Sequence, residues 1–271
     1  MGRAAAELFA GRGYRVFALD RAPCPARENV VPLQADVTDE QSVAAAFGAV
    51  RAETSGLCGI IHFAGIYVLD SLVEIAPSGF ERAFRVNLGG AYLVNRTFLP
   101  LLKEGARVII VTSELAPRDP LPFTGLYGIT KTALDRYAYS LRMELQLLGV
   151  SVSVLRAGAV DTGMLGESTR QLEAFCRDTR LYDCSAKRFK TIVDRVEARR
   201  IPPERIAEKI YGIACAKRPR FAYSINRNPL LILFDLLPQR VRFFAIRMIL
   251  KSPGDRAAAD TGAASQDAGT A

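Results

Sequence analysis

A doubly wound parallel α/β sheet is the fold this sequence predicts, and three observations predict it. Short β-rich runs alternate with amphipathic helical stretches along most of the chain. The runs are nearly continuous in Val, Ile, Leu and Phe, the mark of strands covered on both faces. The 271 residues, 49% hydrophobic and 24% charged, suit one large α/β unit with a sizeable core.

The elements follow in order. Met1-Gly2-Arg3-Ala4 opens a helix already under way, without the apolar segment or cleavage site of a secretory signal. Strands are expected at residues 15–19, 30–34, 58–63, 107–112, 150–155 and 220–224. Helices are expected at 40–53, 79–102, 126–148 and 203–217. No apolar run reaches the roughly 20 residues that span a bilayer. Residues 162–200 are polar, charged and weakly periodic, which predicts a mobile insertion over an active site. The tail from Ser252, rich in Ala, Gly, Asp and Thr, is expected to be disordered. The body, 1–251, reads as a single domain.

Composition narrows the chemistry. One histidine, His62, argues against a His-ligated metal and a His-based triad, and no metal is expected. The cysteines (Cys24, Cys58, Cys176, Cys184, Cys215) show no CxxC spacing and read as reduced thiols of a cytoplasmic protein. The net charge is +8, with basic excess at 187–205 and 217–247. No nucleic-acid motif accompanies it, so an anionic cofactor or acidic membrane surface is the expected partner rather than nucleic acid.

Tyr127-Gly-Ile-Thr-Lys131 places a phenol and an ammonium on one helical face. A nearby ammonium favours phenolate, so Lys131 is expected to lower the Tyr127 pKa and make it a proton donor or acceptor for a carbonyl/alcohol pair. Ser113 ends the strand at 107–112, at the carboxyl edge where doubly wound folds bind ligands. Its hydroxyl is placed to hold a reacting oxygen; the alternative is a turn cap.

With Asn87 in Val86-Asn-Leu-Gly-Gly90, these residues resemble the Asn-Ser-Tyr-Lys tetrad of the short-chain dehydrogenase/reductase family, whose fold is Rossmann-like. The spacing from Ser113 to Tyr127 is one residue longer than most members show. The resemblance implies that Asn87 holds a proton-relay water and that Lys131 also grips the nicotinamide ribose. Asp36-Val37 resembles the adenine-contacting aspartate segment. Ala64-Gly65 matches the end of an Asn-Asn-Ala-Gly motif in which His62 and Phe63 replace both asparagines, His62 as a structural stand-in. Ala157-Gly158-Ala-Val160-Asp-Thr162 resembles a Pro-Gly segment, with the Val160 backbone and the Thr162 hydroxyl anchoring the nicotinamide carboxamide; the alternative for Thr162 is a plain helix cap. Asp20, at the end of its strand, is expected to bond the adenosine ribose and favour NAD, while Arg21 leaves NADP open.

The family begins with a strand and a TGxxxGxG turn, and Met1-Gly2 lines up with the end of that turn, Gly2 as its final glycine. The expectation is that translation starts upstream of Met1. The chain as given is expected to lack the central strand, expose neighbouring strand edges, fold marginally and bind NAD poorly.

Residues 229–251 carry an apolar stripe at 241, 243, 244, 248 and 249, with Arg240, Arg242, Arg247 and Lys251 outside it. Packing within the protein or its dimer is the favoured reading. A substrate lid and a helix lying in a membrane interface are the alternatives. Apolar C-terminal extensions of this kind in family members that act on steroids, retinoids or lipids imply an apolar substrate. The expectation is therefore an NAD-dependent enzyme, NADP remaining open, acting on a small-molecule alcohol or ketone. The resemblance implies a homodimer or homotetramer, in the cytoplasm or at a membrane surface. The alternative is a non-catalytic binding or regulatory protein that kept the fold.

Overall fold

The computed structural model describes residues 1–197 and 199–251; the expected disordered tail lies outside the described residues. The elements run α1 (Gly2–Gly11), β1 (Val16–Asp20), β2 (Val30–Gln34), α2 (Glu40–Glu53), β3 (Leu57–His62), α3 (Pro77–Phe84), a π turn (Arg85–Gly89), α4 (Gly90–Phe98) and β4 (Leu102–Ser113). They continue as α5 (Gly125–Leu145), β5 (Ser151–Ala157), α6 (Gly163–Asp178), α7 (Asp183–Glu197), α8 (Pro203–Ala214), β6 (Ala222–Ile225), α9 (Pro229–Asp235) and α10 (Gln239–Leu250).

Every strand pairing named here is parallel, but the six strands form two sheets. One is β1-β2 and the other β3-β4-β5-β6. All of β1 and all of β3 line one cavity of about 1130 Å³, so their unpaired edges border the same space.

Alternation along β4 and β5 builds two core layers. Val108, Ile110, Val152 and Val154 pack with Ala91, Leu134 and Ala138 on one face. Ile109, Val111 and Leu155 pack with Phe9, Ile206 and Ile210 on the other. Successive strand side chains point to opposite faces, so a strand covered by helices on both sides must be apolar throughout. A third cluster, including Val43, Val50, Val94 and Phe98, covers β1 and β2.

Three expectations change. The helix expected at 79–102 is broken by the π turn, and its end passes through a 3₁₀ turn at Leu99–Leu101 into β4, which starts at Leu102. The mobile insertion at 162–200 contains two helices, α6 and α7, whose Leu172, Phe175, Ala186 and Phe189 bury against Leu69 and Phe123. The apolar C-terminal helix at 229–251 is two helices separated at Leu236–Pro238, and most of its stripe faces solvent. Among the described residues no helix is long and apolar enough to cross a membrane.

Candidate active site

Ser113 closes β4 in register with Ala157 of β5 and is buried. Its Oγ accepts from the Leu115 N–H at 3.2 Å as the turn cap, and Ser113 stands near enough to the Tyr127 phenol to oppose the rise in its pKa. Tyr127 and Lys131 lie one turn apart near the start of α5, and both are buried. Lys131 Nζ stands 5.7 Å from the Tyr127 ring centroid. A Cβ at position 65 would lie 3.1 Å from Lys131 Nζ and 3.2 Å from Asn87 Oδ1, so a side chain there would crowd both groups by a few tenths of an ångström.

Asn87 sits in the π turn, where one extra residue per turn redirects the helix and presents a side chain that regular winding would turn elsewhere. Its Oδ1 accepts from the Ile66 N–H at 2.7 Å, and its Nδ2 donates to Ile66 O at 3.0 Å and Thr130 Oγ1 at 2.9 Å. The amide thus latches the loop after β3 to α5.

The protonation states correct one expectation. Burial pushes the Tyr127 phenol up to about 12, with the Ser113 hydrogen bond opposing it. Burial pulls Lys131 down to about 8. The ammonium over the ring face does not lower the phenol pKa, because loss of solvent dominates for both groups. At neutral pH Tyr127 is a proton-bearing donor, and Lys131 changes charge close to the working range.

Two groups that sequence reasoning missed fix this geometry. Arg156 of β5 grips Asp135 of α5 in a two-pronged ion pair at 3.0 and 2.7 Å. Thr112 Oγ1 reaches the same carboxylate at 3.4 Å, so α5 is pinned to the strand ends beside Ser113. Tyr67 lays its ring 4.8 Å from that of Tyr127. The sole signal for Asp135 is its position four residues after Lys131; Arg156 is too distant in sequence to be paired with it by spacing.

The expected cofactor residues divide into two groups. Gly2, Asp20, Arg21, Asp36, Val37, Ala64, Gly65 and Thr162 all line the cavity between β1 and β3. Tyr127, Lys131, Gly158 and Val160 do not, and Gly65 is where the two groups meet. Asp20 is exposed and accepts from the Ala22 N–H at 2.9 Å. Asp36 accepts from the N–H and hydroxyl of Thr38 at 2.8 and 2.7 Å, bonds that hold its carboxyl below its ordinary pKa. Val37 packs so closely on Gly90 that a Cβ there would come within 2.6 Å. A Cβ at Gly158 would meet Asn226 O at 1.9 Å, so that glycine admits the chain after β6. Val160 is buried and bridges Ile201. Thr162 stands at the N-cap of α6 without capping it, its hydroxyl 3.4 Å from Val160 O. His62 is buried against Asn95 Oδ1 at 2.8 Å, and Asn95 donates to Tyr137 at 3.1 Å, which makes the stand-in a structural hydrogen-bonded network.

Residues 1–173 match the family model described as short chain dehydrogenase. The chain is 31% identical over 149 residues to estradiol 17-beta-dehydrogenase 2 of Mus musculus, a match covering 54% of this chain and 39% of the mouse protein. It is 23% identical to 3-ketodihydrosphingosine reductase of Bacteroides thetaiotaomicron, over 91% of this chain and 93% of that protein. Among solved structures, a short chain dehydrogenase from Burkholderia cenocepacia in complex with NADP superposes with a TM-score of 0.67 at 22% identity, covering 93% of both chains. The chain belongs to the short-chain dehydrogenase family.

Proposed function

We propose that this protein is an NAD(P)-dependent oxidoreductase that interconverts an apolar alcohol and its ketone. The observation that carries the reading is the convergence of Ser113 and Lys131 on one buried phenol, Tyr127.

The residues fit a dinucleotide. Gly65 supplies a side-chain-free approach between the large cavity and Lys131, and Asp20 offers an exposed carboxylate at the cavity rim. Asp20, Arg21, Asp36, Val37, Ala64 and Gly65 would hold the adenosine half, with Gly2 at the start of α1 nearest the phosphates. Lys131, Gly158, Val160 and Thr162 would hold the nicotinamide half. The carboxylate of Asp20 disfavours a 2′-phosphate, so NAD is the preferred cofactor and NADP the second.

A bound nicotinamide would supply or take up the hydride. Tyr127 moves the matching proton. In the reductive direction the phenol, protonated at neutral pH, donates to the carbonyl oxygen while the Ser113 hydroxyl holds that oxygen. Lys131, with a pKa near 8, returns the proton to Tyr127, and Asn87 positions the relay through its grip on Ile66 and Thr130. Oxidation runs the same path backwards.

An apolar substrate is supported by Tyr67, whose aromatic ring lies 4.8 Å from that of Tyr127. The similarity to an estradiol dehydrogenase and a ketodihydrosphingosine reductase points the same way. We further propose that residues 1–251 act as one domain, that the protein works in the cytoplasm or at its membrane surface, and that it self-associates as a dimer or tetramer. The test is a panel of steroid, retinoid, long-chain and short-chain alcohols and ketones with each cofactor, followed by nicotinamide absorbance. Turnover highest for apolar substrates with NAD is expected; no turnover with any pair overturns the reading.

A further inference from the structure

The C-terminal helices turn apolar side chains toward solvent on a well-anchored base. On α10, Ile246 and Leu250 pack into the cluster around Phe189, and Arg242 pairs with Asp119 at 2.7 Å. Ser185 Oγ donates to Leu250 O at 2.8 Å and Arg188 to Lys251 O at 2.7 Å. At 100° per residue, Val241, Phe244 and Met248 then lie on the opposite face. Phe244 and Met248 are 64% and 63% exposed. Leu230 and Leu233 of α9, and Leu236 just after it, are exposed to the same degree or more. Isolated exposed apolar residues are ordinary, but so many within two consecutive helices mark an interaction surface.

Charge selects the partner. Arg240, Arg247 and Lys251 share one flank of α10, beside the outward apolar strip, and make no ion pair among the described residues. The single acidic side chain between 227 and 251, Asp235, is bound to the buried Arg118. A second copy meeting this face with its own about a two-fold axis would bring no free carboxylate from 227–251 to these cations. A surface that takes apolar side chains and supplies anions beside them is an anionic lipid bilayer.

We propose that α9 and α10 form a lipid-docking face. Val241, Phe244, Met248 and the α9 leucines enter the boundary between headgroups and acyl chains, and Arg240, Arg247 and Lys251 meet lipid phosphates. The helices are too short to cross a bilayer, so the protein lies on it. The base of the face is tied to the strand bearing Ser113: the Asn228 N–H that opens α9 donates to Glu114 at 2.7 Å, and Arg118 holds the other end of α9 through Asp235.

The test is flotation of the full chain with vesicles of phosphatidylcholine alone or mixed with phosphatidylserine. Partition onto the mixed vesicles should be roughly 100-fold stronger, at about 1 kcal/mol for each of three cations, and should weaken with salt. Arg240→Gln with Arg247→Gln should remove roughly 30-fold of that, on the same constant. Phe244→Glu with Met248→Glu should abolish binding to both vesicles while the circular dichroism stays unchanged, since both positions are exposed. Absence of flotation, or flotation indifferent to these changes, overturns the proposal. So does a dimer in sedimentation that becomes monomer in the Phe244→Glu/Met248→Glu variant without any vesicle binding.

Discussion

The two sheets hold the proposed functional residues in different ways. On the four-stranded sheet, the helix α5 and the π turn beside them, Ser113, Tyr127, Lys131 and Asn87 are buried, and Asn87 and Ser113 are bonded to backbone. At the tip of the two-stranded sheet, Asp20 and Arg21 are exposed, and the Asp20 carboxylate meets the backbone N–H two residues on. Proton transfer needs a set distance and a shifted pKa, and burial supplies both. Choosing between two polyanionic cofactors needs a charge of the right sign at a rim, which exposure does not impair. One half of the site is therefore built as core and the other as surface.

The sharpest way to break the contrast is to remove a buried tie. Asp135→Ala leaves the partly exposed Arg156 guanidinium without its carboxylate where α5 meets β5, and should cost about 1.5–3 kcal/mol in denaturant unfolding. A loss below about 1 kcal/mol would show that α5 is held by packing alone.

Lys131 gives the next effect, and its sign follows from its lowered pKa. The unfolded chain binds the proton more tightly between the ordinary 10.5 and the folded value of about 8. The wild type therefore loses stability as pH falls through that window, and Lys131→Met escapes the loss. The variant's advantage should grow from pH about 10 to about 8 and then level off, to at most about 3 kcal/mol. Thermal melts across that range check it, and a constant difference would contradict the buried ammonium.

Effects at the rim should be smaller. Asp20→Ala should shift the preference between the two cofactors toward NADP by about tenfold, near 1.4 kcal/mol, with the melting temperature unchanged. At the bottom of the scale, Glu53→Ala removes the exposed ion pair with Arg15 beside β1 and should cost under about 1 kcal/mol.

The same contrast explains what could be read before the fold was known. All six strands lie within two residues of the expected bounds, except that β4 begins five residues earlier, because apolar runs between turns are local signals. The Tyr127–Lys131 pair was legible from helical spacing. The break at Arg85–Gly89 was not, since apolar spacing continues through it while the π turn adds one residue. Helices α6 and α7 were hidden by their charge, although Leu172 with Phe175, and Ala186 with Phe189, already show a spacing of three. The Asp135–Arg156 pair joins residues 21 apart, and no local pattern couples them. The pKa of Lys131 depends on burial, which no spacing reports. Most of the rim was legible as a set of residues, but their gathering around one cavity between two sheet edges belongs to the fold.

The central claim is that the Tyr127 hydroxyl carries the proton. The most direct measurement is kcat for Tyr127→Phe on the best substrate of the panel, beside the variant's cofactor affinity and melting temperature. The variant keeps the ring against Tyr67 and loses only the oxygen. A fall in kcat of about 10²–10⁴ with affinity and stability held is the predicted result. Turnover within a few-fold of wild type would contradict it.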